Sequence, residues 1–305
     1  MAEGDVASTG NATNANGAIH VTDGIVTADD SLAGSVEETD GTITISGITY
    51  DSGDYGNTLL SASDSDVVLT GANITMNVDE AVSGNESAGT AAYVDSGTLT
   101  IFDSTIEVDG AGRYTVAATG TATMIVEDSV IVAGGDAGAE GNTAAVSEPA
   151  SNAGLLISGN SRANFSVGQT HTFYYDSLCV ADGWAALSTD SSGGDLYLEA
   201  NNCDVICEGI GYGTYADGGC YNYLNDCRVT SGSHGAIMAG NSNVSFTNCQ
   251  VKAGQYVQMI HSVRGQTSEV TTGYIEGGAA EAGIAIFFIK SHNAYVKASG
   301  AELKA

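Results

Sequence analysis

Seven side chains near the carboxyl end could do acid–base or ion-pairing chemistry: His234, Tyr256, Gln258, His261, Arg264, Lys290 and His292. A lyase that eliminates across a uronate needs a cation for the carboxylate and a base for the α-proton. Tyr256, His261, Arg264 and Lys290 supply those types and are the catalytic candidates. With His292 added, the same residues form the candidate ligand-binding set. The plainer reading of the cluster is a solvated turn with pairs between neighbouring repeats.

A second constellation is a column of Asx residues: Asp103, Asp128, Asp176, Asn202, Asp226 and Asn248. Carboxylates stacked about 4.8 Å apart, as on adjacent strands, repel one another. A structural Ca²⁺ at Asp103 and Asp128 would relieve that repulsion, because calcium takes several oxygen ligands. Asx residues also cap turns without any metal, and no other cofactor is called for. Glycoside hydrolysis needs two converging acids, and 37 acidic residues offer too many pairs to choose one. There is no G-x-S-x-G, P-loop or dinucleotide fingerprint. No helix follows the glycine-rich turn Gly209-x-Gly211-x-Gly213, so it does not cradle phosphate.

The elements that must position these residues come from a recurring word. Asn202-Cys203-Asp204-Val205 returns as Asp226-Cys227-Arg228-Val229 and Asn248-Cys249-Gln250-Val251, after 24 and then 22 residues. Upstream copies are Asp103-Ser104-Thr105-Ile106, Asp128-Ser129-Val130-Ile131 and Asp176-Ser177-Leu178-Cys179. Weaker ones are Gly71-Ala72-Asn73-Ile74, Thr272-Gly273-Tyr274-Ile275 and Gly300-Ala301-Glu302-Leu303, with Ser46-Gly47-Ile48 as a candidate first. One copy is missing between Ile131 and Cys179, where Leu155 to Val167 reads as a degenerate repeat. Such spacing fits one coil of a β-solenoid, with roughly ten to eleven coils in all. Period-2 strands such as Thr42-Ile43-Thr44-Ile45 and Thr98-Leu99-Thr100-Ile101 fill the coils.

The h-x-Asx-x-x-aliphatic pattern, as in Phe246-Thr247-Asn248 leading to Val251, resembles the right-handed parallel β-helix, or pectin-lyase-like, superfamily. The resemblance covers most of residues 40–305. It implies an all-β solenoid, and functions that range over polysaccharide lyases, hydrolases, epimerases, adhesins and tailspikes. Residues 1–40 read as an irregular cap and 41–305 as the β-helix domain. The opening Met1-Ala2-Glu3-Gly4, and a close just after Leu303 completes a coil word, suggest a piece of a longer protein.

Column counting extends this reading. Eight residues before each turn lie Gly120, Gly194, Gly218 and Gly240, then Arg264 and His292, so glycine yields to charge in the last coils. Tyr215, Ile237, His261 and Ile289 share another column, which points His261 inward. Cys203, Cys227 and Cys249 take the small inward site held by Ser104, Ser129 and Ser177, and read as free buried thiols. Cys207 and Cys220 lie in one coil and could pair. No C-x-x-C motif offers a zinc site.

Charge is uneven. The chain carries 8 basic and 37 acidic side chains, net −29. Residues 1–160 hold 24 acids and one base, net −23, and residues 161–305 hold 13 acids and seven bases, net −6. Without a basic stripe, nucleic acid is not an expected partner. No apolar run is long enough to span a bilayer, so no membrane insertion is expected. Most aromatics also fall in the second half, which is where a ligand is expected. Two functions follow. One is a secreted or cell-surface adhesin-like region that binds a glycan or a host or cell-surface component without turnover. The other is a polysaccharide lyase or glycoside hydrolase acting on an acidic glycan.

Overall fold

The recurring word is a turn whose first residue lies in the left-handed region. In a computed structural model this residue has φ between +46° and +65° at ten successive levels: Gly47, Gly71, Asp103, Asp128, Asp176, Asn202, Asp226, Asn248, Gly277 and Gly300. Only Gly, Asp and Asn hold these positions, the residues that enter this region at least cost. The structure describes residues 19–28, 33–52, 58–78, 89–110, 114–134, 161–190, 195–208, 211–261, 270–289 and 293–305.

The second residue of the word faces inward and bonds the turn above. Ser104 Oγ donates to the Phe102 carbonyl at 2.8 Å and accepts from the Ala72 amide at 3.1 Å. Ser129 and Ser177 repeat this geometry. Cysteine then replaces serine: Cys227 Sγ accepts from the Cys203 amide at 3.4 Å and donates to the Asn225 carbonyl at 3.2 Å. A thiol is large enough to fill the core there and polar enough to close the same bonds.

Each coil contributes three strands, here illustrated by β17 (Ala185–Asp190), β18 (Leu196–Asn201) and β19 (Asp204–Cys207). β17 stacks in a first ladder, β18 in a second and β19, just after the turn, in a third. Neighbouring coils pair in parallel and in register, for example Leu198↔Asn222 and Val205↔Val229. From β5 (Leu60–Ser63) to β31 (Glu302–Lys304) the described residues build 27 strands, hence nine three-strand coils. The fold is all-β, a parallel β-helix.

That count is lower than the sequence reading, because no coil lies between Ile131 and Cys179. Those two residues are direct ladder partners, and the Ser129 amide donates to Ser177 Oγ at 3.1 Å. Residues 162–167 are not a degenerate coil but β14 (Arg162–Val167), the first-ladder strand of the Asp176 coil. The turn assigned to Thr272 is also corrected. Gln250 pairs with Ala279, so the turn equivalent to Asn248 is Gly277.

The amino end is covered by two antiparallel hairpins. β1 (Ile19–Thr22) turns into β2 (Ile25–Ala28) through Asp23-Gly24, and β3 (Ala33–Thr39) into β4 (Thr42–Ser52) through Asp40-Gly41. All four turn residues have positive φ, as a type I′ turn demands. The Asp-Gly pairs carry this turn signal in the sequence, and the hairpins form a cap at the amino end of the coils. Antiparallel pairing occupies the edge that a first parallel coil would leave open.

Inward residues along the second ladder form continuous columns, as in Leu99, Met124, Thr172, Leu198, Asn222 and Val244. All are buried. The polar Asn222 in this column is paired: it donates to Thr214 Oγ1 at 2.9 Å and accepts from Thr189 at 2.8 Å. All six cysteines are free and buried, so Cys207 and Cys220 do not pair. Burial pushes the Cys220 thiol up to about 12. A thiol reagent at pH 8 is expected to modify none of the six in the folded protein and all six after denaturation.

The turn column has a sharper test. Asp226→Gly should leave stability within about 0.5 kcal/mol, whereas Asp226→Val forces a β-branched residue to φ +54° and should cost about 1–2 kcal/mol or more. Denaturant midpoints of the two variants decide it, and equal loss in both would remove backbone conformation as the cause.

Candidate functional site

Of the five residues expected to bind a ligand, Tyr256 is the one whose side chain the structure places, and it is buried. It packs on the outer side of the first ladder, stacked on Phe287 at 4.7 Å between ring centres and edge-on to His234 at 4.8 Å. His261 ends β26 (Tyr256–His261) and pairs with Ile289. Arg264, Lys290 and His292 lie outside the described residues. The column counts need correcting too. Tyr215 and Ile237 stack with Met259 and Phe287, not with His261 and Ile289. With the turn at Gly277, counting back eight no longer reaches Arg264.

The outer side of the first ladder is therefore a second interior. Arg162, 4% exposed, is ion-paired to Asp190 at 2.8 Å. Its guanidinium lies 4.7 Å from the Trp184 ring centre, 5.2 Å from Phe165 and 5.5 Å from Tyr114. These groups bridge neighbouring coils.

The exposed aromatic surface lies on the second ladder instead. There, up to the turn at Asn248, the residues one, three and five places before each turn point outward, while those between them are buried. In β15 (His171–Tyr175) these are Tyr175, Phe173 and His171, and in β18 they are Asn201, Glu199 and Tyr197. β21 (Cys220–Asn225) presents Asn225, Tyr223 and Tyr221. Tyr274 on β27 (Thr271–Glu276) and Tyr295 on β30 (Ala294–Ser299) continue the face. Register stacks the rings: His171, Tyr197 and Tyr221 in one column, and Phe173, Glu199 and Tyr223 in the next. Tyr197 lies 5.2 Å from Tyr223 and 5.8 Å from Phe173, ring centre to ring centre. Tyr221 is 39% and Tyr295 48% exposed.

Planar polar groups run beside the rings. Asn225 donates to Asn201 Oδ1 at 3.0 Å, and Asn201 to Glu199 Oε1 at 3.0 Å. The Tyr197 hydroxyl donates to the other Glu199 oxygen. Beyond them runs the exposed turn column, where Asn202 bonds Asp176 at 2.5 Å. The face is backed by a bonded interior in which the Tyr174 hydroxyl donates to Asn164 at 2.9 Å. Among the described residues, no group of three or more His, Cys, Asp or Glu side chains could hold a metal ion, Asp103 and Asp128 included. Rings, amides and carboxylates at this spacing can stack against sugar faces and bond vicinal hydroxyls.

No protein family matches the chain by sequence, and no curated protein does. Among solved structures, a mutant of the periplasmic alginate epimerase AlgG is similar at 11% identity and a TM-score of 0.37, covering 88% of this chain and 79% of that one. The ORF18 protein of Geobacillus virus E2 is similar at 10% identity and a TM-score of 0.36, covering 88% and 56%. The strand registers define the chain as a parallel β-helix protein. No helix of the described residues is long and apolar enough to cross a membrane.

Burial, and then the hydrogen bond to Glu199, hold the Tyr197 phenol well above the ordinary tyrosine range. The folded chain thus keeps this proton more tightly than the unfolded chain. Its contribution to stability is full below pH about 10 and is lost as pH climbs towards the raised value. Glu199→Gln should bring the Tyr197 titration down, read as an ultraviolet difference that Tyr197→Phe abolishes. An unchanged titration would mean that the carboxylate does not act on the phenol.

Proposed function

We propose that this is a glycan-binding β-helix of the adhesin-like kind, secreted or displayed on a cell surface, which holds an extended polysaccharide along the second ladder without turning it over. The observation that carries the reading is the outward set of Phe173, Tyr175, Tyr197, Tyr221 and Tyr223 on three successive coils, continued by Tyr274 and Tyr295 beyond one coil that presents Asn243, Ser245 and Thr247 instead. Rings at the surface of a regular sheet cost solvation that a stable fold does not require, and patches of this kind mark binding sites. Coils repeat about every 4.8 Å, of the order of one hexopyranose unit, so a chain lying along the axis meets rings on the three coils of β15, β18 and β21. Asn201, Asn225 and Glu199 supply the directional bonds, and their mutual hydrogen bonds hold them in place before binding.

The reading is tested with polysaccharide affinity electrophoresis and calorimetry across neutral, acidic and basic glycans. Tyr197→Ala with Tyr223→Ala should weaken binding of the preferred glycan at least about tenfold, or ~1.4 kcal/mol. The melting temperature should fall only modestly, by the loss of the ring contacts and the Tyr197–Glu199 bond, and binding is measured well below it. Reducing ends and unsaturated uronates are measured in the same mixtures. Binding that survives the double change places the glycan elsewhere, and product formation makes the protein an enzyme.

A further inference from the structure

Resting on the glycan-binding reading of the second ladder, we propose that the sugar this face selects carries free ammonium groups, as in a glucosamine-type polymer. Three features of the face converge on a cation. First, carboxylates lie among the rings: Glu199 occupies the column between Phe173 and Tyr223, and Glu127 and Glu276 flank the aromatic coils in the column of Tyr175. Second, the turn column bordering the rings carries exposed Asp128, Asp176 and Asp226. Third, the basic side chains that the registers place on this face are His171 and Lys297, which lie towards its two ends.

The rings add to this field. The face of a phenol or phenyl ring is the negative pole of its quadrupole and attracts an ammonium within about 6 Å. Tyr197 donates its proton to Glu199, so its oxygen side is richer in electrons and the carboxylate is held at the ring edge. A pyranose stacked on Tyr197 or Tyr223 would set an equatorial ammonium beside Glu199, with its hydroxyls against Asn201 and Asn225. A uronate in the same place would bring its carboxylate against Glu199 and the aspartate border, and the repulsion would act at short range where salt screens it least. This is the reverse of the acidic-glycan preference expected from the bases at the carboxyl end.

The test uses the intact chain with three probes at a pH where the amines are protonated. These are a β-1,4-linked glucosamine oligomer, its fully N-acetylated counterpart and polygalacturonate. The glucosamine oligomer should bind at least tenfold more tightly than the acetylated one. That preference should shrink in high salt and in Glu199→Gln, while polygalacturonate should not bind. The variant Tyr197→Ala with Tyr223→Ala keeps the net charge and should lose the glucosamine oligomer. If it still binds as well, the attraction belongs to the acidic surface at large and the site assignment fails. Equal or tighter binding of the acetylated oligomer overturns the ammonium preference but leaves glycan binding standing. Binding of no glycan in the wider panel removes the glycan reading itself.

Discussion

Everything in this molecule hangs on one backbone constraint, a left-handed turn residue that recurs at the same place in every coil. At that position the chain turns from the second ladder into the third, always with φ near +50° to +65°. Aspartate, asparagine and glycine pass, and β-branched residues do not. The next residue then closes hydrogen bonds to the coils on either side, through serine in the middle coils and cysteine later. Once the turn is fixed, strand alternation fixes the faces on both sides of it. The interior columns and the outward rings are two consequences of the same counting origin.

This explains what could be read from the sequence. The turn column was legible because its residue types are restricted, and so was the inward position of Cys203, Cys227 and Cys249. The outward face was legible in principle: odd steps back from Asp176, Asn202 and Asp226 reach Phe173, Tyr197 and Tyr223 directly. The first ladder was not, because connections of different length separate it from the turn. Tyr215 and Ile237 lie eleven residues before their turns, but the longer connection from β26 to β27 puts Met259, 18 residues before Gly277, in their column instead of His261. Burial was the other hidden quantity. Tyr256 and Tyr221 are the same residue type in the same half of the chain, and only the packing of the first ladder makes one interior and leaves the other in water.

The two aromatic populations also differ in their electrostatics. On the first ladder the rings surround a guanidinium whose charge is matched by Asp190. On the second ladder the rings accompany carboxylates and amides and little positive charge, so the unmatched potential faces outward. Parallel register amplifies it, because like residues become neighbours along the axis and their fields add.

The junction at Ile131 and Cys179 has a consequence for how such a rod can change. The turns there are separated by 48 residues along the chain, against 25 and 26 on either side, yet the ladder continues unbroken. Closing a loop of twice the length costs only about 0.6 kcal/mol more. A corner between the third and first ladders is thus a place where whole segments can be gained or exchanged while the core keeps its rhythm. Descent with variation can lengthen such corners freely, and homologues of this chain would then be recognisable by turn spacing modulo insertions rather than by overall alignment.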